Sequence, residues 1–362
     1  MKSKKIQPVA VMCFSSGTGG MERSAVRLAE TLARVSEVVL FCKQGSFTED
    51  LYNEGEYSFK CEPIRFSSRI FSFSMLFGVR SKLDKHSIGN VIFLGASELK
   101  TLYFSFLGKT LNVCVWHGTT KSRPKRDFIH NLVYSCVNHH VAISEHLGRN
   151  VKEIVPTNDN VDHRVIRPSF DFDTEQLSRH KDKEAKTINI VHVGRVAYGK
   201  GQIDAVLACR GLFEKCIDFH LKIIGGSDGD YLSELDESIA NSPYKESIIV
   251  EGFVEDVSVY LREADIFLFP SLGEGMPNAF IEALHYDIAC IAYDNTVFPE
   301  FLDMGFYVHI VKNKDISALS DKLYKVASDI TNECLKSEVN IGLSKKYFSI
   351  EREVNEWLEI LE

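Results

Sequence analysis

Glu274 and Glu282 are separated by seven residues in the stretch SLGEGMPNAFIEAL, residues 271–284. The preceding apolar run ADIFLFP predicts a buried strand that ends at Pro270, and a helix is predicted over 278–285. Both carboxylates lie in an otherwise apolar segment, where a charge needs a partner. A carboxylate that accepts hydrogen bonds from two neighbouring hydroxyls would bind a vicinal diol, such as those of ribose and hexoses.

The turn between this strand and this helix favours an anion. Pro277 is expected at the first helical position, where its fixed φ suits the helix and its missing N–H would have been unpaired anyway. The free N–H groups of the first turn and the helix dipole attract phosphate. A phosphate flanked by diol-binding carboxylates predicts a nucleotide-sugar site, lined by Gly275, Met276, Pro277, Asn278 and Glu282.

A pair of cations follows another predicted strand in INIVHVGRVAYGKG, residues 188–201. The strand ends at Gly194 and Arg195, and Lys200 lies between two glycines. Two cations at the carboxyl end of a strand would neutralise a departing diphosphate. A salt-bridged surface Arg and Lys is the alternative.

The amino-terminal part predicts a strand over 9–14, the glycine-rich loop SSGTGG and an amphipathic helix, an arrangement that cradles phosphate. Gly17 and Gly19 match the start of a dinucleotide-binding pattern. However, Glu22 takes the place of the third glycine, and the next strand ends in Lys43, where an acidic ribose ligand belongs. An NAD site is therefore disfavoured, and a glycine turn needed only for packing is the remaining alternative.

His117 directly follows the predicted strand LNVCVW, at the edge of a doubly wound sheet where ligands collect. A lone histidine is more often structural, so its catalytic interpretation depends on the other motifs. Ser144, further along, is predicted first as a helix N-cap. The loop after His117 carries cations that would either bind an acceptor phosphate or form a solvated surface: Lys121, Arg123, Lys125 and Arg126.

Together these motifs resemble the retaining glycosyltransferases of family 4, which belong to the group 1 glycosyl transferases. The resemblance rests on Glu-x7-Glu at 274–282, Gly-Arg-x4-Lys-Gly at 194–201, Gly-Gly-x-Glu-Arg at 19–23, and His117. It runs along nearly the whole chain and is most specific over 190–300. It implies the α/β fold called GT-B, in which two Rossmann-like domains face each other across a cleft.

The resemblance also implies a role for each residue of the second domain. Arg195 and Lys200 would hold the donor diphosphate. Glu274 would orient the donor sugar, and Glu282 would bind the ribose. Glu300 stands near the last donor-side acid of the family.

In the first domain, the resemblance implies that the backbone of Gly19 and Gly20 approaches the donor phosphates and sugar. It places His117 near the donor sugar and the acceptor, as a catalytic residue together with Glu274. The implied reaction is transfer of a sugar from a nucleotide-sugar, with UDP as the favoured nucleotide, and with retention at the anomeric carbon. No carboxylate nucleophile of the glycosidase type is apparent, so a front-face mechanism is favoured.

The expected acceptor is a growing bacterial surface glycan or a lipid-linked saccharide, such as lipopolysaccharide or O-antigen. A nucleotide-sugar epimerase of the same fold and a non-catalytic nucleotide- or glycan-binding module are the alternatives. No cofactor or metal is expected. The Asp-x-Asp pairs at 171–173 and 228–230 do not follow apolar strands, unlike the metal motif of the other glycosyltransferase fold.

Length and composition predict two domains in a soluble protein. The chain has 362 residues, 44% hydrophobic and 25% charged. The predicted domains are 1–168, joined by a final helix at 351–362, and 186–345, with a linker near 165–187. Nine scattered cysteines without a C-x-x-C pair indicate a reducing cytoplasm, and the four in apolar strand-like runs, Cys13, Cys42, Cys114 and Cys290, are expected to be buried. No apolar run is long enough to span a bilayer.

The net charge of −8 hides an asymmetry: residues 1–168 carry 23 basic and 15 acidic side chains, a balance of +8, and the remainder carries −16. No basic stripe with interleaved aromatics is present, so nucleic acid is not an expected partner. The basic half is expected to contact an anionic acceptor or the inner face of the cytoplasmic membrane. The aromatic stretch 69–83 is either a core helix or an amphipathic surface on that membrane. The cations expected to take part are Arg65, Arg69, Arg80, Lys82, Lys121, Arg123, Lys125 and Arg126.

Overall fold

The structure is a computed structural model that describes residues 6–68, 72–95, 97–156, 160–172, 187–227 and 229–362. The chain divides into two compact units. The first unit contains Met1–Ser169 and Phe348–Glu362, and the second contains Phe170–Tyr347. Asp173, Asp228, Arg69 and most of the predicted linker lie outside the described residues.

The first unit is built on a parallel sheet of seven strands in the order β3-β2-β1-β4-β5-β6-β7. Its central strands are apolar along their whole length because helices cover both faces of the sheet. The strands are β1 Val9–Cys13, β2 Val38–Lys43, β3 Lys60–Ile64, β4 Asn90–Leu94, β5 Asn112–His117, β6 His139–Ala142 and β7 Asp162–Val165. The helices between them are α1 Gly20–Ala33, α2 Phe47–Glu54, α3 Phe73–Lys85, α4 Leu99–Phe106, α5 Phe128–Tyr134 and α6 Glu145–Ile154.

The second unit repeats this architecture on a parallel sheet of six strands in the order β10-β9-β8-β11-β12-β13. The strands are β8 Ile188–Val193, β9 Phe219–Ile224, β10 Ile248–Gly252, β11 Ile266–Phe269, β12 Ala289–Asp294 and β13 His309–Lys312. The helices are α7 Gln202–Ala208, α8 Arg210–Glu214, α9 Tyr231–Ala240, α10 Ser258–Glu263, α11 Asn278–Leu284, α12 Phe298–Asp303, α13 Ile316–Ser328, α14 Ile330–Ser337 and α15 Val339–Phe348, with one 3-10 turn at Lys245–Ser247.

The last helix, α16 Ile350–Leu361, belongs to the first unit and packs on α1. Trp357 of this helix is completely buried, and Glu353 accepts a hydrogen bond of 2.7 Å from the N–H of Ser169. The Arg352 guanidinium donates to the carbonyl of Arg167. The amphipathic pattern of α16 therefore serves to attach the end of the chain to the first unit.

The predicted α/β architecture with two Rossmann-like sheets is confirmed. Ser144 caps α6, as predicted, by accepting a hydrogen bond of 3.3 Å from the N–H of Leu147. The predicted linker was placed too early, since its first residue, Val165, is the end of β7. No helix in the described ranges is long and apolar enough to cross a membrane.

Candidate functional site

The loops after β8 and β11 meet at an ion pair between Lys200 and Glu274. These strands are neighbours in the sheet, so their carboxyl ends lie side by side. The Lys200 ammonium lies 2.7 Å from Oε1 of Glu274. The same oxygen accepts a hydrogen bond of 2.7 Å from the hydroxyl of Ser271. The structure thus brings together a cation and a carboxylate that the sequence predicted separately.

The loop that carries Glu274 is held by a network of side chains. The N–H of Glu274 donates to the hydroxyl of Thr296 at 3.0 Å, and that hydroxyl donates to Oδ1 of Asn295. The Asn295 amide donates to the carbonyl of Ser271 at 2.8 Å. Thr296 adopts a φ of 46°, which is costly for a β-branched residue. A strained residue held by its surroundings is typical of functional loops.

The loop that carries Lys200 depends on glycine and on a buried histidine. Gly201 has a φ of 81°, and a Cβ at this position would lie 2.0 Å from the carbonyl oxygen of Pro270. No other residue type permits this approach of the loop to the end of β11. Nε2 of His192 lies 2.9 Å from the carbonyl oxygen of Lys200. Burial lowers the pKa of His192 to about 4, so the imidazole is neutral near pH 7.

Arg195 is an exposed side chain just beyond β8. Its carbonyl accepts a hydrogen bond of 3.0 Å from the amide of Gln202, which fixes the backbone at this point. Gly225, after the neighbouring strand β9, approaches so closely that a Cβ there would lie 2.1 Å from the carbonyl oxygen of Gly194. Arg195 therefore stands at the same sheet edge as Lys200.

Glu282 is a half-buried carboxylate with no hydrogen bond or ion pair to any other described residue. Burial raises the pKa of Glu282 to about 7, and the charge of Asp256 adds to this effect. An acid removed from water without a partner destabilises the folded protein unless a ligand satisfies it. Glu282 is therefore a candidate ligand-binding group.

The turn into α11 differs in one respect from the prediction. Pro277 is the N-cap, with a ψ of 114°, and the helix begins at Asn278 and ends at Leu284 rather than at 285. The helix begins after Pro277, and not at it, because Pro277 retains an extended backbone. Met276 and Pro277 are buried, whereas Asn278 is exposed and Gly275 is half-buried. Glu300, the other predicted acid, lies on α12 and is buried.

The glycine-rich loop of the first unit is organised by Glu22 and Lys43. The N–H of Gly19 donates to the Glu22 carboxylate at 2.9 Å, and Gly20 is the first residue of α1. The Lys43 ammonium donates to the hydroxyl of Ser16 at 3.0 Å. Glu22 and Lys43, the two residues that disfavour an NAD site, thus fix the conformation of this loop. Gly19 and Gly20 are exposed in it.

His117 ends β5 and is almost completely buried, with 1% of its surface exposed. Its Nε2 lies 2.9 Å from Nδ1 of His140 on β6. Nδ1 of His117 has no hydrogen-bond partner among the described residues. Burial, followed by the charge of Lys121, lowers the pKa of His117 well below its usual range. Burial likewise lowers the pKa of His140 to about 3, so the hydrogen bond joins two neutral imidazoles near pH 7.

The comparisons with known proteins agree with this geometry. Residues 173–338 match the family described as "Glycosyl transferases group 1". This match covers most of the second unit, Phe170–Tyr347. The predicted resemblance is therefore confirmed for the unit that holds Arg195, Lys200, Glu274 and Glu282.

Among sequence relatives, this chain is 28% identical over 192 residues to the amylovoran biosynthesis glycosyltransferase AmsK of Erwinia amylovora, an alignment that covers 50% of this chain and 47% of AmsK. The chain spans about half the length of curated relatives that it matches.

Solved structures resemble this chain over nearly its whole length. A glycosyltransferase from Rickettsia africae is 17% identical with a TM-score of 0.81, over 99% of this chain and 98% of that one. HepE of Anabaena, solved with UDP and glucose, is 14% identical with a TM-score of 0.78, over 98% and 99%. At this identity the likeness shows the fold alone, and the predicted GT-B type is confirmed.

Sequence reasoning missed several residues of the candidate site. Ser271 was detectable, because it is a hydroxyl directly after the strand-ending Pro270. Thr296 and Asn295 carry no such signal, because the residues that they contact, Glu274 and Ser271, lie 22 and 24 positions away in the chain. His192 carries none because it lies inside the buried strand β8. Among the described residues, no group of three or more His, Cys, Asp or Glu side chains could hold a metal ion.

The raised pKa of Glu282 predicts a pH-dependent stability. An unfolded chain ionises Glu282 near its ordinary pKa of 4.5, whereas the folded protein retains the proton until about pH 7. The contribution of Glu282 to the unfolding free energy therefore falls as the pH rises from about 4.5 to 7. We expect Glu282→Gln to raise the unfolding free energy of the ligand-free protein at pH 8 by up to about 3 kcal/mol, and by much less at pH 4.5.

Urea unfolding at both pH values measures this difference. Glu237→Gln, a change at an exposed position on α9, is the control and is expected to alter stability little at either pH. An equal effect of Glu282→Gln at pH 4.5 and pH 8 would show that the carboxylate is not desolvated.

Proposed function

We propose that this protein is a retaining, metal-independent glycosyltransferase that moves a sugar from a UDP-linked donor to a growing bacterial surface glycan or a lipid-linked saccharide. The observation that carries the proposal is the unpaired, half-buried Glu282 in the same unit as the Lys200–Glu274 pair. A ribose diol would satisfy Glu282, and a diphosphate would bind Lys200 and Arg195. HepE, solved with UDP and glucose, and AmsK, named for amylovoran biosynthesis, support the donor and acceptor classes.

The Lys200–Glu274 pair suggests how the donor enters. A diphosphate at Lys200 would compete with Glu274 for the ammonium. Glu274 would then be free to accept hydrogen bonds from the donor sugar, while Ser271 keeps the carboxylate in place. Arg195 and Lys200 would stabilise the charge that develops on the leaving diphosphate. The departing phosphate would take the acceptor proton on the same face, which gives retention.

The first experiment is UDP binding and sugar transfer with the Glu282→Gln variant. The carboxylate is expected to make one or two hydrogen bonds to the ribose, worth about 1.5–3 kcal/mol each. We expect the Kd for UDP, measured by calorimetry at pH 8, to rise at least about tenfold. The change in kcat should be small, because these bonds form equally in the ground state and the transition state.

Four outcomes would each contradict part of the proposal. An unchanged Kd in Glu282→Gln would remove the ribose assignment. Conversion of the donor to an altered free sugar without any acceptor would favour an epimerase. Loss of transfer in the presence of EDTA would contradict metal independence, and inversion of the anomeric centre, read by NMR of the product, would contradict retention.

We also propose that His117 acts in the transfer step, with His140 as a positioning residue. His117→Ala is expected to retain the UDP affinity and to lose most transfer. His140→Phe keeps a ring between Tyr134 and His163 but removes the hydrogen bond to His117, so its loss of kcat should be smaller. Near wild-type turnover in a folded His117→Ala variant would make this histidine structural.

Peripheral contact with an anionic membrane remains part of the proposal, with a revised set of residues. Arg80 donates to the carbonyls of Ser105 and Leu107, and Lys82 pairs with Glu62, so neither cation is available. Arg65, Arg123 and Arg126 are exposed. Helices α3 and α5, which both contact α4, expose large apolar side chains, which are Phe73, Phe77, Phe128, Ile129 and Leu132. This exposure favours the amphipathic interpretation of the stretch 69–83.

Co-sedimentation with vesicles tests this contact. We expect binding to anionic vesicles, weaker binding to neutral ones, and release by salt, because each basic residue near the surface contributes about 1 kcal/mol. Phe73→Ser combined with Phe128→Ser should weaken binding to anionic vesicles, and Ser68→Thr serves as a control for an exposed change nearby. Equally negligible binding of the wild type to both vesicle types would exclude the membrane.

A further inference from the structure

The cations that follow β5 fall into two classes. Arg123 and Arg126 are exposed, and the Arg126 guanidinium donates to the carbonyl of Lys152 at 3.3 Å. Lys121 and Lys125 are half-buried, and neither ammonium has a hydrogen bond or ion pair to any residue that the structure describes. Half-burial without a carboxylate is unusual for a lysine.

The backbone that carries these lysines is anchored to α6. The N–H of Lys121 donates to Oδ1 of Asn150 at 2.8 Å, and the Asn150 amide donates back to the carbonyl of Lys121 at 3.0 Å. The N–H of Lys125 donates to the carbonyl of Ile154 at 2.8 Å. Both lysines thus project from a segment attached to one helix, rather than from a free loop.

The pKa values of Lys121 and Lys125 are set mainly by burial and by neighbouring cations. Burial, and then the charge of Lys125, lowers the pKa of Lys121 to about 8. Burial, and then Lys100, also lowers the pKa of Lys125, while Glu98 acts in the opposite direction. Lys121 in turn disfavours protonation of the neighbouring His117. An anion that entered this cluster would relieve both lysines.

We propose that Lys121 and Lys125 form a binding site for a phosphate monoester. Two ammonium groups match the charge of such a group, which is about −1.5 to −2 at pH 7. Lysine binds phosphate as a point charge and needs no planar geometry. The site lies beside His117, whose buried Nδ1 has no partner among the described residues.

The identity of the ligand rests on the proposed function. The donor phosphates have their own cations, Arg195 and Lys200, in the second unit. The phosphate at Lys121 and Lys125 therefore belongs to the acceptor. Its carrier is either a soluble sugar phosphate or a lipid phosphate, which present the same group to the two lysines.

The experiment compares two matched double variants. Lys121→Gln with Lys125→Gln, and Arg123→Gln with Arg126→Gln, each remove two positive charges from the same segment. Binding of inorganic phosphate, glucose 6-phosphate, a short-chain prenyl phosphate and UDP is measured by calorimetry at pH 7 and constant ionic strength. Thermal unfolding checks the fold, and the lysine variant is expected to be at least as stable as the wild type, since it removes desolvated charges.

We expect the lysine variant to bind inorganic phosphate at least about tenfold more weakly, as the loss of charge-assisted hydrogen bonds requires, and the arginine variant to change by less than about twofold. The UDP affinity should be the same in both variants. Tighter binding of prenyl phosphate than of glucose 6-phosphate assigns a lipid acceptor, and the reverse assigns a soluble one.

Equal weakening by both variants would overturn the site, because it would indicate only general attraction. Loss of UDP binding in the lysine variant alone would assign the lysines to the donor and overturn the proposal as well. Absence of phosphate binding by the wild type would do the same. Lysine-selective phosphate binding in a protein that turns over no donor would contradict the proposed transfer and support the anion site.

Discussion

The ion pair between Lys200 and Glu274 joins two loops that lie 74 residues apart in the sequence. It forms because β8 and β11 are adjacent parallel strands whose carboxyl ends reach the same edge. A partly buried pair of this kind cannot lose one partner without leaving a charge unsatisfied. The supporting contacts of Ser271, Thr296 and Gly201 all hold this one juxtaposition in place. A ligand that separates the pair must therefore satisfy both members, and the diphosphate and sugar hydroxyls of the proposed donor would do so.

Charges that have no partner are as informative as those that do. Glu62 on β3 shows the ordinary structural case: burial would raise its pKa, but Lys82, Lys85 and His86 lower it to about 2. Glu282 in the second unit has burial without any such partner, and its pKa rises to about 7. Lys121 is likewise half-buried without a carboxylate partner among the described residues, and burial lowers the pKa of its ammonium to about 8. The acidic second unit and the basic first unit thus each contain a desolvated group that one of the two proposed substrates would satisfy.

The continuous apolar sequences of the strands made much of the fold predictable. The strands over 9–13 and 266–269 are apolar and buried at every position. A strand with one face in water would instead alternate apolar and polar residues. Ser144 was predictable as a cap because capping depends only on neighbours in the chain. Pro277 was assigned to the first helical position, whereas it is the N-cap, since local preference allows both positions. Lys82 was assigned to a membrane surface, but its partner Glu62 lies on a strand that the sequence does not place beside it.

By itself, the sequence determined which segments form strands and helices, and that Glu274, Glu282, Arg195, Lys200 and His117 follow or end such segments. These properties depend on short-range periodicity and on residue type. Only the tertiary structure decided which of these charges are paired, because pairing and desolvation depend on strand order and on side chains far away in the chain. It joined Lys200 to Glu274, left Glu282 alone, and separated Lys121 and Lys125 from Arg123 and Arg126 by burial. The free energy of a charge is set by its surroundings, and those surroundings exist only once the sheet has assembled.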